Sequence, residues 1–75
     1  MNVTLYTRKG CRLCDDAYRT LIEHGIDARV VDIDGDESLR AQFTTCVPVV
    51  EVDGQVRFRG RVEPLLLKRL LRGQS

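Results

Sequence analysis

Apolar positions change their spacing several times along the chain, and each change marks an element. Residues 2–7, NVTLYT, mix β-branched, aromatic and apolar side chains in a short run, as a strand does. Arg8, Lys9 and Gly10 break it. Apolar positions then recur at Cys14, Ala17, Tyr18, Leu21 and Ile22, steps of three and four that predict the buried face of a helix over 12–24. Arg12, Asp15, Asp16, Arg19 and Glu23 fall opposite, and Gly25 supplies a stop. IDARVVDI, 26–33, is rich in β-branched residues and predicts a second strand. DGDESLRAQF follows as a turn and a short helix. Asp34 and Glu37 have capping-box spacing there, with Asp36 the competing cap.

VPVVEV, 47–52, predicts a third strand, and its adjacent Val49 and Val50 suit burial on both faces. Asp53-Gly54 is a two-residue hairpin signal, and QVRFR returns antiparallel. Pro64 suits the first turn of a last helix. Its buried face is expected to hold Leu66, Leu67, Leu70 and Leu71, and Gly73 closes it. The order is β-α-β-α-β-β-α. The first two strands are expected to be parallel with a right-handed crossover. The fold class is α/β: one four-stranded mixed sheet with helices on both faces.

At 75 residues the chain makes one domain with a small core, a size at which disulfides or metals often add support. Hydrophobic content of 43% and charged content of 31% belong to a folded chain, not a disordered one. A net charge of +1 argues against a general nucleic-acid binder. No apolar run approaches the roughly 20 residues that span a bilayer, and the start has no signal-peptide pattern. The expected location is therefore the cytosol, where three cysteines, an odd number, stay largely reduced.

Cys11 and Cys14 sit three apart where the first strand meets its helix. A redox reading has a physical basis there. Unpaired N–H groups and the positive end of the helix dipole favour a thiolate, and Arg8, Lys9 and Arg12 add positive charge. Cys11, near the cap, is then the nucleophile. Cys14, one turn in on the apolar face, resolves the mixed disulfide. A structural zinc site needs four ligands, and only Cys46 and His24 remain. His24 lies roughly 15 Å from Cys11 at 1.5 Å rise per residue, so it reads as a solvated residue at the helix C-terminus. An iron–sulfur cluster shared between two chains, with Cys11 as ligand, and a chance CxxC with Cys14 a small core residue both stay open.

A β-α-β pattern with CxxC at its first strand–helix junction is the cue for a thioredoxin-like fold. VTLYTRKGCRLC, followed about 35 residues on by VPVVEVDGQVRFRG and a short final helix, resembles the glutaredoxins, and more closely the short bacterial glutaredoxin-like proteins. The resemblance covers nearly the whole chain. It implies a thioredoxin-like fold and a cis Val47-Pro48 bond lying against the CxxC. It also implies that the Val47 backbone pairs with an incoming peptide or glutathione, a one-rung β-augmentation.

By the same resemblance Arg8 matches a basic residue that meets the glutathione carboxylate, and Gly60 and Glu63 match part of the site for its amine. The departures are Arg12-Leu13 where the family has Pro-Tyr, Cys46 where it has Thr, and Arg59 and Val62 in the glutathione segment. Half of a glutathione site is thus visible. Cys46 is either a packed stand-in for Thr or an auxiliary thiol beside Pro48, and Leu13 either a docking contact beside Cys11 or an ordinary exposed leucine.

The expected activity is thiol–disulfide exchange on protein disulfides or glutathione mixed disulfides by a monomer. It needs no metal or organic cofactor, with glutathione as a co-substrate at most. Glutathione or thioredoxin reductase supplies the electrons. The alternative is a module that binds an iron–sulfur cluster or a partner without turnover.

Overall fold

The computed structural model describes residues 1–43 and 46–73. Its strands are β1 (Val3–Thr7), β2 (Arg29–Asp32), β3 (Val49–Val52) and β4 (Gln55–Arg59). Its helices are α1 (Arg12–Glu23), α2 (Glu37–Phe43) and α3 (Pro64–Arg72), with a 3-10 turn at Ile33–Gly35. The strands form one sheet in the order β2-β1-β3-β4. β1 runs parallel to β2, while β1–β3 and β3–β4 are antiparallel. No helix among the described residues is long and apolar enough to cross a membrane.

Alternation along the central strands splits the core between the two faces. Leu5 and Val50, opposite each other in register, pack with Ala17 and Leu21 of α1, Phe58 of β4 and Leu67 of α3. Val49 turns to the other face, where it packs with Ile33 and with Phe43 of α2. Tyr6 joins this second cluster, its ring 5.0 Å from that of Phe43. Val49 and Val50 are both fully buried, as a strand covered on both sides requires.

Several elements are shorter or rotated relative to the expectation from sequence. β2 occupies four residues rather than 26–33. Ile26 and Ile33 are buried on either side of it, so their apolar character serves the core without strand pairing. The Asp32 carboxylate accepts the Asp34 N–H at 2.9 Å and turns the chain into the 3-10 segment. Asp36 caps α2, its Oδ1 accepting from the N–H groups of Ser38 (2.8 Å) and Leu39 (3.2 Å), so the Asp34–Glu37 box does not form. β3 starts at Val49 instead of residue 47, since Pro48 has no N–H to give the ladder. The hairpin turn forms as expected, with both Asp53 and Gly54 at positive φ. α1 ends at Glu23, with His24 as its cap.

Two helical faces also differ. On α1, Cys14, Ala17 and Leu21 are buried, but Tyr18 and Ile22 are 45% and 50% exposed. They lie further round the helix, toward the edge strand β2, where exposed Val30 shows that the sheet has ended. On α3 the buried residue is Leu67, half-buried Leu70 and Leu71 pack beside it, and Leu66 is exposed.

This phase of α3 makes a direct prediction. Leu67→Ala should cost about 2–4 kcal/mol in urea denaturation, and Leu66→Ala less than about 0.5 kcal/mol.

Candidate active site

β1 delivers the chain to the site. After Thr7, a turn closed by the Cys11 N–H donating to the Arg8 carbonyl (3.3 Å) needs Gly10 at φ 75°. Cys11 then takes extended backbone angles and caps α1. Its Sγ accepts the Cys14 N–H at 3.1 Å, a position filled by a hydroxyl or carboxylate oxygen in most helices. Cys11 and Cys14 are joined as a disulfide, with Cα atoms 5.2 Å apart, inside the range a disulfide requires. Cys11 is half-buried, and Cys14 is only 2% exposed. The asymmetry expected from sequence is therefore present: one sulfur is accessible at the positive helix end, and the other is covered one turn in.

Arg8, Lys9 and Arg12 flank the pair, but Arg8 is engaged. Its Nη2 lies 3.0 Å from Asp34 Oδ1, and its Nε donates to Oδ2 at 3.1 Å. This bidentate pair ties the loop before Cys11 to the 3-10 turn after β2. Asp34, whose spacing to Glu37 predicts a capping box, serves this salt bridge instead. The signal lay in the parallel pairing of Thr7 with Asp32, which brings the two following segments to one end of the sheet.

The segment before β3 meets the end of β4. The Val47-Pro48 peptide bond is cis and Pro48 is buried. The Gly60 N–H donates to the carbonyls of both Pro48 (2.8 Å) and Cys46 (2.9 Å). Gly60 sits at φ 79°, a conformation that side chains beyond glycine rarely adopt. Val49 is opposite Tyr6, so this segment lies at the same sheet end as the CxxC loop. The structure thus gathers Cys46, Val47, Pro48 and Gly60 into one corner.

Cys46 and Val47 are half-buried and pack against the Ile33–Phe43–Val49 cluster; Cys46 is outside the disulfide. Glu63 precedes Pro64 without a side-chain capping bond, and its carboxylate lies 3.4 Å from Arg61 Nε. Val62 is buried in the core, which explains an apolar residue in that segment. His24 is at the far end of α1, its Nδ1 donating to the Thr20 carbonyl at 2.8 Å. Among the described residues no three His, Cys, Asp or Glu side chains gather as a metal site.

Grooves open on both sides of the cysteine pair. One of 230 Å³ is lined by Cys14, Arg8, Tyr18 and Val30. The other, of 340 Å³, runs between α1 and the start of α3 and is lined by Leu13, Arg61, Val62 and Pro64. Leu13 is 52% exposed, so an apolar side chain stands open beside Cys11. The arrangement suits nucleophilic sulfur chemistry on a disulfide that approaches from outside.

Residues 2–72 match the family model described as a Glutaredoxin-like domain (DUF836). Among solved structures, target protein XcR50 from X. campestris is 28% identical, with a TM-score of 0.83 over 95% of this chain and 96% of that one. The glutaredoxin-like protein NrdH-redoxin from Escherichia coli is 31% identical, with a TM-score of 0.71 over 93% and 95%. A glutaredoxin from Archaeoglobus fulgidus shares the fold at 24% identity, with a TM-score of 0.70 over 96% and 87%. No curated protein sequence matches the chain.

The cap geometry predicts a difference between two substitutions at one position. In reduced protein, Cys11→Ala should lose about 1 kcal/mol by denaturant titration, and Cys11→Ser should keep most of it, because a hydroxyl still receives the Cys14 N–H.

Proposed function

Because the chain belongs to the glutaredoxin-like domain family, we propose that it is a thiol–disulfide oxidoreductase acting through Cys11 and Cys14. The observation that carries the reading is the N-terminal cap of α1, where the half-buried Cys11 sulfur already receives a backbone N–H. In the reduced state this donor and the helix dipole favour a thiolate at Cys11.

The thiolate attacks one sulfur of a partner disulfide. The Cys11–partner bond forms, and the partner's other sulfur leaves as a thiolate. Cys14, held one turn away, then loses its proton to solvent and attacks Cys11 Sγ. The mixed disulfide breaks, the partner leaves as a dithiol, and the Cys11–Cys14 disulfide remains. Two electrons have passed to the partner. Val47 offers its backbone to an extended segment of the substrate beside Pro48, and Leu13 offers an apolar contact.

The substrate class that fits best is a protein disulfide, and the reductant a protein of the thioredoxin reductase kind. Arg8, the residue matched to a glutathione carboxylate, is held in a bidentate pair by Asp34, and Glu63 stands in an exposed pair with Arg61. The Gly60 N–H is already bonded within the chain, to the Pro48 and Cys46 carbonyls, and Glu63 is the acid of that segment. NrdH-redoxin from Escherichia coli is described as having a thioredoxin-like activity profile, in accord with this choice.

Cys11→Ser should abolish disulfide reduction. Cys14→Ser should accumulate a mixed disulfide visible by non-reducing mass spectrometry. Insulin reduction should run faster with thioredoxin reductase as electron source than with glutathione. A Cys11→Ser protein with full activity would overturn the mechanism, and a faster glutathione-driven rate would overturn the choice of reductant.

A further inference from the structure

The Arg8–Asp34 pair lies beside the cysteines, yet no step of the mechanism uses it. Its two side chains are 34% and 36% exposed. Pairs that open to water ordinarily add little to stability. What sets this one apart is where it holds the Arg8 charge.

Both ends of the pair are fixed by the backbone. The Arg8 carbonyl accepts the Cys11 N–H at 3.3 Å, so the residue that carries the guanidinium also closes the turn into α1. The Asp34 N–H donates to the Asp32 carboxylate at 2.9 Å, which anchors Asp34 in the 3-10 turn. Gly10 and the Cys11–Arg8 hydrogen bond already shape the turn, so shaping it does not call for an ion pair.

Arg8 lines the 230 Å³ groove that Thr7, Cys14, Asp15 and Tyr18 also line, and it is the one cation there. Asp34 is outside that lining and draws the guanidinium toward the end of β2. Asp15 is the acid facing the same groove. Lys9 and Arg12 are exposed and, among the described residues, stand in no ion pair. Their field acts on every substrate whatever Arg8 does. The groove beside the cysteine pair thus has a cation in its wall and a carboxylate outside it that occupies both donors of that cation's fork.

We propose that Asp34 is a positioning residue that sets the charge selectivity of Cys11. By holding Arg8, it denies a carboxylate-bearing small disulfide the bidentate partner that would seat it beside the cysteines. The substrates favoured are disulfides that bind through backbone and apolar contacts. This rests on the redox reading above.

The test reads the charge felt at Cys11 without turnover. Reduced protein is alkylated with anionic iodoacetate and with neutral iodoacetamide, and Cys11 labelling is followed by mass spectrometry. Both reagents need the same thiolate, so the ratio of their rates cancels any change in its population. Asp34→Asn should raise the iodoacetate-to-iodoacetamide ratio about threefold at low ionic strength, and salt should shrink the rise. In an Arg8→Gln background the same substitution should raise it less than about 1.5-fold, because no guanidinium is released. In single turnovers of prereduced protein, Asp34→Asn should raise the rate on dithiodipropionate relative to 2-hydroxyethyl disulfide by a similar factor. A pair that only staples the turn would leave both ratios unmoved, and that result would overturn the proposal. An equal rise with and without Arg8 would overturn the route through Arg8. A rise in the alkylation ratio without one in the disulfide ratio would overturn the role in substrate choice. If the alkylation ratio moves while wild type reduces neither disulfide, the hold on Arg8 stands and the redox reading fails.

Discussion

The antiparallel pairing of Tyr6 with Val49 sets where everything reactive sits. From that register, β1 leaves the sheet at Thr7 and Pro48 enters it at the same end. Leu5 and Val50, one rung below, are buried completely and lock the register from one face, while Val49 locks it from the other. A one-residue slip would turn each of these side chains to the opposite face, so the core and the site are specified together. In a domain this small, few other residues hold the register in place.

On that frame, the proposed chemistry draws on a backbone feature more than on any charged side chain. Arg8 is spent on Asp34, and Asp15 lies in the first turn of α1 as a counter-charge. Besides exposed Lys9 and Arg12, what remains is the open end of the helix, with the Cys14 N–H already aimed at the Cys11 sulfur. Such a donor needs no rearrangement when sulfur becomes anionic. In the proposed mechanism, burial of Cys14 keeps the second thiol from competing for substrate, and its place one turn along keeps it within reach of Cys11.

The site's covalent core was legible in sequence because it is local. A strand, a glycine turn and CxxC at a helix start are contiguous, and Asp53-Gly54 and Pro64 each have one structural use. The cis bond at Val47-Pro48 was reached through family resemblance alone. What escaped depends on distant neighbours. The Arg8–Asp34 bridge spans 26 residues and exists only because β1 and β2 are parallel. Tyr18, Ile22 and Leu66 have the right spacing for burial, yet they fall where the sheet ends or where the helix turns outward. Periodicity sets the angle between side chains on a helix but not the breadth of the surface it lies on. The bulge at Arg57 had no signal, since an extra residue in a hairpin arm leaves its composition unchanged.

The most direct measurement is the rate of iodoacetamide labelling of each cysteine in reduced protein as a function of pH, with the labelled peptides mapped by mass spectrometry. Activation by the end of α1 predicts that Cys11 labels first, with a midpoint well below that of an ordinary thiol, while Cys14 lags at every pH. Slow labelling of both with an ordinary thiol profile would contradict it, and would leave the CxxC a structural feature of the helix start.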